Sequence, residues 1–146
     1  MNNPITIRRS TTGDAAAGAR IAALDSGHIP QGDAMRVVKL DELPSGSFSH
    51  ELEGAAHGDI GVSLIFTAAA PGQGPSLHLH DYVEVHVVQE GEAVFTAGDE
   101  QRVVRAGEIA IVPPGMPHRF EASGDGTFRE IGIHISSRFV TEWIRA

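Results

Sequence analysis

The chain has 146 residues, of which 41% are hydrophobic and 21% are charged, a balance that suits one globular domain with one core. A formal net charge of -8 and the absence of any basic cluster beyond Arg8–Arg9 argue against nucleic-acid and anionic-membrane partners. The chain has no cysteine, which excludes disulfides, thiolate metal sites and cysteine nucleophiles. We expect a cytoplasmic protein, because no signal peptide precedes the domain and the most apolar stretch, 62–70, is too short to span a bilayer.

Residues 1–34 lack the strand-like residue pattern of the rest of the chain and predict an N-terminal extension. An alanine-rich run at 14–24 favours one helix with Asp14 as its N-cap, although Gly13 and Gly18 weaken that helix. Two interpretations stay open for the extension: a flexible segment, or a swapped arm that packs on a neighbouring subunit.

From residue 35 onward the sequence predicts a single β domain over 35–146. Its 17 glycines and 8 prolines separate short runs rich in valine, isoleucine and phenylalanine, which is typical of strands joined by turns. The predicted strands are 35–40, 48–52, 60–69, 76–80, 84–89, 92–97, 100–105, 108–112, 118–122 and 127–135. Residues 138–144 predict a short C-terminal helix, because their apolar side chains recur at a spacing of four. So many short strands imply an all-β sandwich or barrel.

The strongest chemical signal is a set of three histidines and one glutamate: His78, His80, Glu84 and His118. His78 and His80 alternate along a strand, so their side chains project to the same face. Three imidazoles and a carboxylate form a nitrogen and oxygen donor set for a divalent metal. The alternative is a buried polar cluster without metal, but such burial is costly unless the groups are paired. We therefore expect one divalent transition metal and no nucleotide cofactor, since no nucleotide-binding fingerprint is present.

The spacing of these residues resembles the two motifs of the cupins. In the first motif the intervals of five, one, three and six residues separate a glycine, two histidines, a glutamate and a second glycine. In the second motif, intervals of five, one and two residues separate a glycine, a proline, a second glycine and a histidine. The positions that match are Gly72, His78, His80, Glu84 and Gly91, then Gly107, Pro113, Gly115 and His118. One position departs, because Ala122 stands where the second motif commonly ends in asparagine.

The resemblance covers about 37–136 and is to small single-domain bacterial cupins of the conserved-barrel type (cupin 2). It implies a jelly-roll barrel related to the RmlC-like fold and often a homodimer. It also implies that His78, His80, Glu84 and His118 bind Fe, Mn, Zn, Ni or Cu. Cupins include dioxygenases, isomerases, decarboxylases, cyclases, sensors and storage proteins, so the fold leaves function open.

We expect a metal-dependent enzyme of dioxygenase, isomerase or cyclase type that acts on a small organic molecule. The alternative is a non-catalytic sensor or binding cupin for a metal or small ligand, and a third possibility is a scaffold that the metal only stiffens. His86, two residues after Glu84, is the candidate catalytic acid or base, with a satisfied interior histidine as the alternative. Tyr82 either gates the site or packs on the barrel rim. Phe66, Phe95 and Phe120 are expected to shape the pocket.

Other polar residues of the strands are assigned to the surface. His134 alternates with isoleucines, so either the isoleucines face inward and His134 faces outward, or the reverse; the expected orientation of His134 is toward solvent or an interface. Arg129 binds either a substrate carboxylate or, more plainly, Glu130 or Glu100. The remaining histidines, His28, His50 and His57, lie in or near predicted loops.

Overall fold

The computed structural model of the protein describes residues 35–145. The predicted helix at 14–24 and the predicted arm lie outside the described residues. The strand predicted at 35–40 is wrong: residues 35–39 have no regular structure and Leu40–Glu42 forms a 3₁₀ turn. Met35 and Val37 are 90% and 84% exposed, so their alternation with polar residues buries no apolar face among the described residues.

Within residues 35–145, ten strands form two antiparallel five-stranded sheets, which confirms the predicted all-β class. The first sheet has the order β1-β2-β9-β4-β7 and the second has the order β10-β3-β8-β5-β6. The strands are β1 (Ser49–Leu52), β2 (Ser63–Ala69), β3 (His78–Leu79), β4 (Glu84–Glu90), β5 (Glu92–Ala97), β6 (Glu100–Arg105), β7 (Ile109–Val112), β8 (His118–Ser123), β9 (Phe128–His134) and β10 (Glu142–Trp143). A second 3₁₀ turn lies at Gly54–His57.

The predicted C-terminal helix is also wrong, because this segment adds a strand to the second sheet. In β10, Trp143 pairs with His78 of β3, and the Ile144 N–H donates to the Leu77 carbonyl at 3.0 Å. A helix this short is marginal on its own, whereas an extended segment satisfies its backbone groups on the open edge of β3.

The space between the sheets is apolar at one end and polar at the other. Along the inward face of β4, Glu84 and His86 are followed by Val88. The neighbouring strand β9 runs in the opposite direction, so its inward side chains pass from Phe128 at the apolar end to His134 at the polar end. The apolar end holds the core, which consists of Ala69, Val88, Ala93, Phe95, Val104, Phe120, Ala122 and Phe128.

Two positions of the sequence motifs are explained at this apolar end. Gly91 turns the chain between β4 and β5 with φ +71°, and a Cβ there would lie 2.5 Å from the Thr127 carbonyl oxygen, so only glycine fits. Ala122, the departure from the second motif, is 2% exposed. Its backbone exchanges hydrogen bonds of 2.8 Å with Gly72 and Gln73, so the local turn is closed by the main chain.

Candidate metal centre

The structure brings the three histidines and the glutamate together at the polar end. His78, His80, Glu84 and His118 are all buried, and one nitrogen or oxygen atom from each lies within 4.8 Å of the others. The convergence follows from the strand pairing, because His78 of β3 pairs directly with His118 of β8. Glu84 begins β4 in the facing sheet. The cluster therefore lies between the two sheets.

Backbone carbonyls fix the orientation of all three imidazole rings. The Nδ1 atoms of His78, His80 and His118 lie 2.7, 2.8 and 2.8 Å from the carbonyl oxygens of Ser76, Val140 and Met116. A carbonyl can only accept a hydrogen bond, so each Nδ1 carries the proton and each Nε2 directs a lone pair into the cluster. Metal-binding histidines in proteins are typically oriented in this way.

With neutral rings, the centre of the cluster contains acceptors only. Oε2 of Glu84 lies 2.9 Å from Nε2 of His118 and 3.1 Å from Nε2 of His80. A carboxylate oxygen facing imidazole lone pairs in a buried site is unfavourable unless positive charge lies between them. A divalent cation supplies that charge, and the nitrogen and oxygen atoms suit one. The cluster is therefore compatible with a metal ion.

Protons supply the same charge when no cation is bound, which is visible in the pKa values. Burial disfavours the charge on Glu84, but contacts from His118, His134 and His80 hold the pKa of its carboxyl well below the usual range. Burial also opposes the charge on His80, yet the hydrogen bond that the protonated ring donates to Glu84 raises the pKa of His80. Burial lowers the pKa of His78 to about 4, so this ring is neutral and ready to donate its lone pair at neutral pH.

His134 faces inward, and the expectation that it faces solvent is wrong. The side chain is 2% exposed, and its Nε2 lies 3.1 Å from Oε1 of Glu84. The cause is the pairing of β9 with β4, which sets His134 directly opposite Glu84. Gly132 makes room for this contact, because a Cβ there would lie 3.1 Å from the same carboxylate oxygen. His134 therefore belongs to the site as a partner of Glu84.

Tyr82 holds His134 in place and packs on the cluster. Its hydroxyl oxygen accepts a 3.2 Å hydrogen bond from the Val140 N–H and lies 3.1 Å from Nδ1 of His134. With the oxygen accepting from Val140, the hydroxyl proton is free to donate to Nδ1, which leaves Nε2 protonated and facing Glu84. The Tyr82 ring also stacks on His80 with an interplanar angle of 7°. These contacts tie Oε1 of Glu84 to the protein and leave Oε2 for the cluster.

His86 is buried as predicted, and a carboxylate that the sequence prediction missed orients it. Its Nδ1 lies 2.8 Å from Oε2 of Glu130, whereas its Nε2 lies 3.4 Å from Oε1 of Glu84 and has no hydrogen-bond partner among the described residues. The ring packs edge-on against Phe95 at a centroid distance of 5.0 Å. Burial opposes its charge, but the Glu130 carboxylate outweighs that effect and raises the pKa of His86 to about 9.

A cavity of about 410 Å³ opens beside the cluster. Phe120 lines it as predicted. Phe95 is not among the lining residues, because it lies behind His86. Phe66 does not line it, because the alternate residues Ile65 and Thr67 of β2 face the cavity instead. The lining residues also include some that the sequence analysis did not assign to the pocket: Phe48, Glu51, Pro75, Glu130, Phe139, Thr141 and Trp143.

The remaining polar residues lie away from the cavity. Arg129 pairs with Glu90 at 3.0 Å on the surface, not with Glu130 or Glu100. Glu130 points the opposite way and is 3% exposed. His50 and His57 are half-buried, and His28 lies outside the described residues. A glutamate and a histidine four apart on one face of a strand, here Glu130 and His134, were the available signal for the missed part of the site.

Comparisons with known proteins agree with this architecture. The family profile of the AraC-like ligand binding domain matches residues 61–146. An oxalate oxidase structure is 24% identical with a TM-score of 0.65, covering 79% of this chain and 66% of that one. A Bacillus subtilis oxalate decarboxylase with Mn(II) centres is 18% identical with a TM-score of 0.65, covering 84% of this chain and 36% of that one. A cupin-like protein of Thermotoga maritima is 18% identical with a TM-score of 0.61, covering 77% and 90%.

These likenesses confirm the cupin jelly-roll fold. The chain spans about two thirds of the oxalate oxidase chain and little more than a third of the decarboxylase chain. No curated protein sequence matches it significantly. Within residues 35–145, no helix has the length and apolarity needed to cross a membrane. The family profile extends over more than half of the sequence, and the chain therefore belongs to the AraC-like ligand binding domain family of the cupins.

Proposed function

We propose that the protein binds one divalent transition metal through His78, His80, Glu84 and His118 and uses it to transform a small organic molecule. The observation that carries the proposal is the convergence of three oriented Nε2 lone pairs and one carboxylate oxygen in a buried cluster beside a cavity. Four protein ligands leave two positions open on an octahedral ion. When bound, such an ion supplies Lewis-acid or oxygen-activating chemistry.

His86 is the proposed general acid for a molecule in the cavity, and it becomes a base once it has donated its proton. Glu130 holds its Nδ1 at 2.8 Å, and the Nε2 has no hydrogen-bond partner among the described residues. An imidazole whose one nitrogen is oriented by a carboxylate presents the other to a substrate, which is the usual arrangement for general acid–base catalysis. The Phe120 ring lies 6.1 Å from the His86 ring, and Thr67 lines the same cavity, so both limit how a substrate can approach.

The structural neighbours support manganese as the first ion to test. The oxalate decarboxylase of Bacillus subtilis contains Mn(II) centres, and Mn(II) accepts nitrogen and oxygen ligands. Iron, zinc, nickel and copper suit the same ligand set, so the metal content of the purified protein decides among them.

The second candidate function is non-catalytic binding of a small ligand. The family name, AraC-like ligand binding domain, favours it. The two functions differ in one respect: an enzyme consumes the molecule that occupies the cavity, whereas a binding protein returns it unchanged. Incubation of metal-loaded protein with candidate substrates, with oxygen uptake and product analysis, separates them.

Metal analysis of protein purified without a metal-chelating tag tests the proposed site. We expect about one ion per chain, most of which is lost in His78→Ala and retained in His57→Ala, a matched change at a histidine outside the cavity. Equal metal content in the two variants would contradict the ligand assignment. The homodimer predicted from the resemblance remains a prediction, which light scattering of the full chain tests.

A further inference from the structure

Apart from its histidines, the charges in the cavity wall are one-sided. The described residues that line it include three carboxylates, from Glu51, Glu84 and Glu130, and neither a lysine nor an arginine. Glu84 and Glu130 are engaged by histidines. Glu51 is half-buried on β1, and no basic side chain of the described cavity wall faces it. A carboxylate in this position attracts a cation and repels an anion.

Aromatic side chains extend the same preference around the cavity. Phe48, Phe139 and Trp143 line its wall, and the Trp143 ring lies 5.1 Å from the His78 ring. Aromatic faces attract ammonium groups and do not attract carboxylates. Apart from the histidines and the glutamates that they engage, the cavity wall therefore combines one carboxylate with hydroxyl, apolar and aromatic groups.

We propose that the cavity selects small molecules that carry an ammonium group, placed near Glu51, together with a donor atom that reaches the metal. This inference rests on the proposed metal site and names the substrate class for it. Glu51 is thus the specificity-determining residue, and it takes no part in holding the metal.

Three thiols of similar size test the charge preference on the cobalt-loaded full chain. Cysteamine, 2-mercaptoethanol and mercaptoacetate each offer sulfur to Co²⁺, and their other ends are cationic, neutral and anionic. Binding is followed by the sulfur-to-cobalt charge-transfer absorption. The quantity compared for each thiol is the Kd of the Glu51→Gln variant divided by the Kd of the wild type. This ratio cancels differences between the thiols in acidity and in intrinsic affinity for cobalt.

Glu51→Gln should weaken cysteamine binding about fivefold, the effect of one partly screened charge pair. The same substitution should leave the binding of 2-mercaptoethanol unchanged and strengthen the binding of mercaptoacetate. The control is Glu121→Gln, the same charge change at an exposed position of β8 outside the cavity. It should leave the Kd of all three thiols unchanged. Equal changes for all three thiols, or the same pattern in both variants, would overturn the charge preference. Failure of the wild-type chain to retain Co²⁺ would overturn the proposed metal site and this inference together.

Discussion

Replacement of His134 by leucine should weaken metal binding without unfolding the protein. Nε2 of His134 lies 3.1 Å from Oε1 of Glu84 in a fully buried setting, and leucine removes that donor while filling a similar space. Loss of an outer partner of a metal ligand commonly costs about 10–100-fold in affinity. We expect the Kd for metal to rise by about 10–100-fold.

The assay is competition for the metal with a chelator of known affinity, with thermal unfolding measured on the same samples. His134→Gln is the matched control, because its amide N–H can donate to the Glu84 carboxylate and should recover most of the affinity. His57→Leu makes the same chemical change at a half-buried residue outside the cavity. A folded His134→Leu protein that binds metal as tightly as the wild type would refute the proposed role of this contact.

Three further predictions concern the groups around the cluster. Tyr82→Phe keeps the ring that stacks on His80 but removes the hydroxyl partner of His134 Nδ1. Because His134 in turn holds Glu84, chelator competition should show a loss of metal affinity of about tenfold. Glu130→Gln removes the main group that favours the charged ring, so the pKa of His86 in metal-free protein should fall from about 9, as followed by NMR of the ring protons; an unchanged value would contradict the pairing. Protons compete with metal for His80, whose pKa is raised, so metal affinity should fall as the pH is lowered from 8 to 5, by up to about tenfold for each pH unit. Equilibrium dialysis over that range measures this, and a flat profile would contradict His80 as a ligand.

Local signals in the sequence account for most of the strand predictions. The bounds of β5 and β6 are those predicted, because the Gly98-Asp99 turn joins two alternating runs and Gly98 adopts the positive φ that such a turn requires. The cluster of three histidines and one glutamate was predictable for a related reason. Motif spacing fixes where each residue stands on its strand, and strand pairing then brings the residues together.

The predictions that failed are those that depend on pairing between distant strands. Alternation along β9 shows that His134 and its isoleucine neighbours face opposite sides, but it does not decide which side is buried. Pairing with Glu84 decides it. Spacing of four at 138–144 is compatible with a helix, and only the open edge of β3 makes the extended form preferable. In both cases the deciding partner lies more than 40 residues away in sequence.

The two sheets contribute opposite halves of the cluster, and this division is the physical reason to expect a cation. The second sheet supplies His118 and, on and just after β3, His78 and His80, whose protons are all committed to backbone carbonyls. The first sheet supplies Glu84, whose outer oxygen is held by His134. Neither half can donate a hydrogen bond to the other without an extra proton, so the buried contact between them is favourable only when positive charge is added. A divalent ion adds that charge at neutral pH and leaves the carbonyl-bound rings as they are, and the burial that lowers the pKa of His78 keeps this ring unprotonated and able to bind the ion.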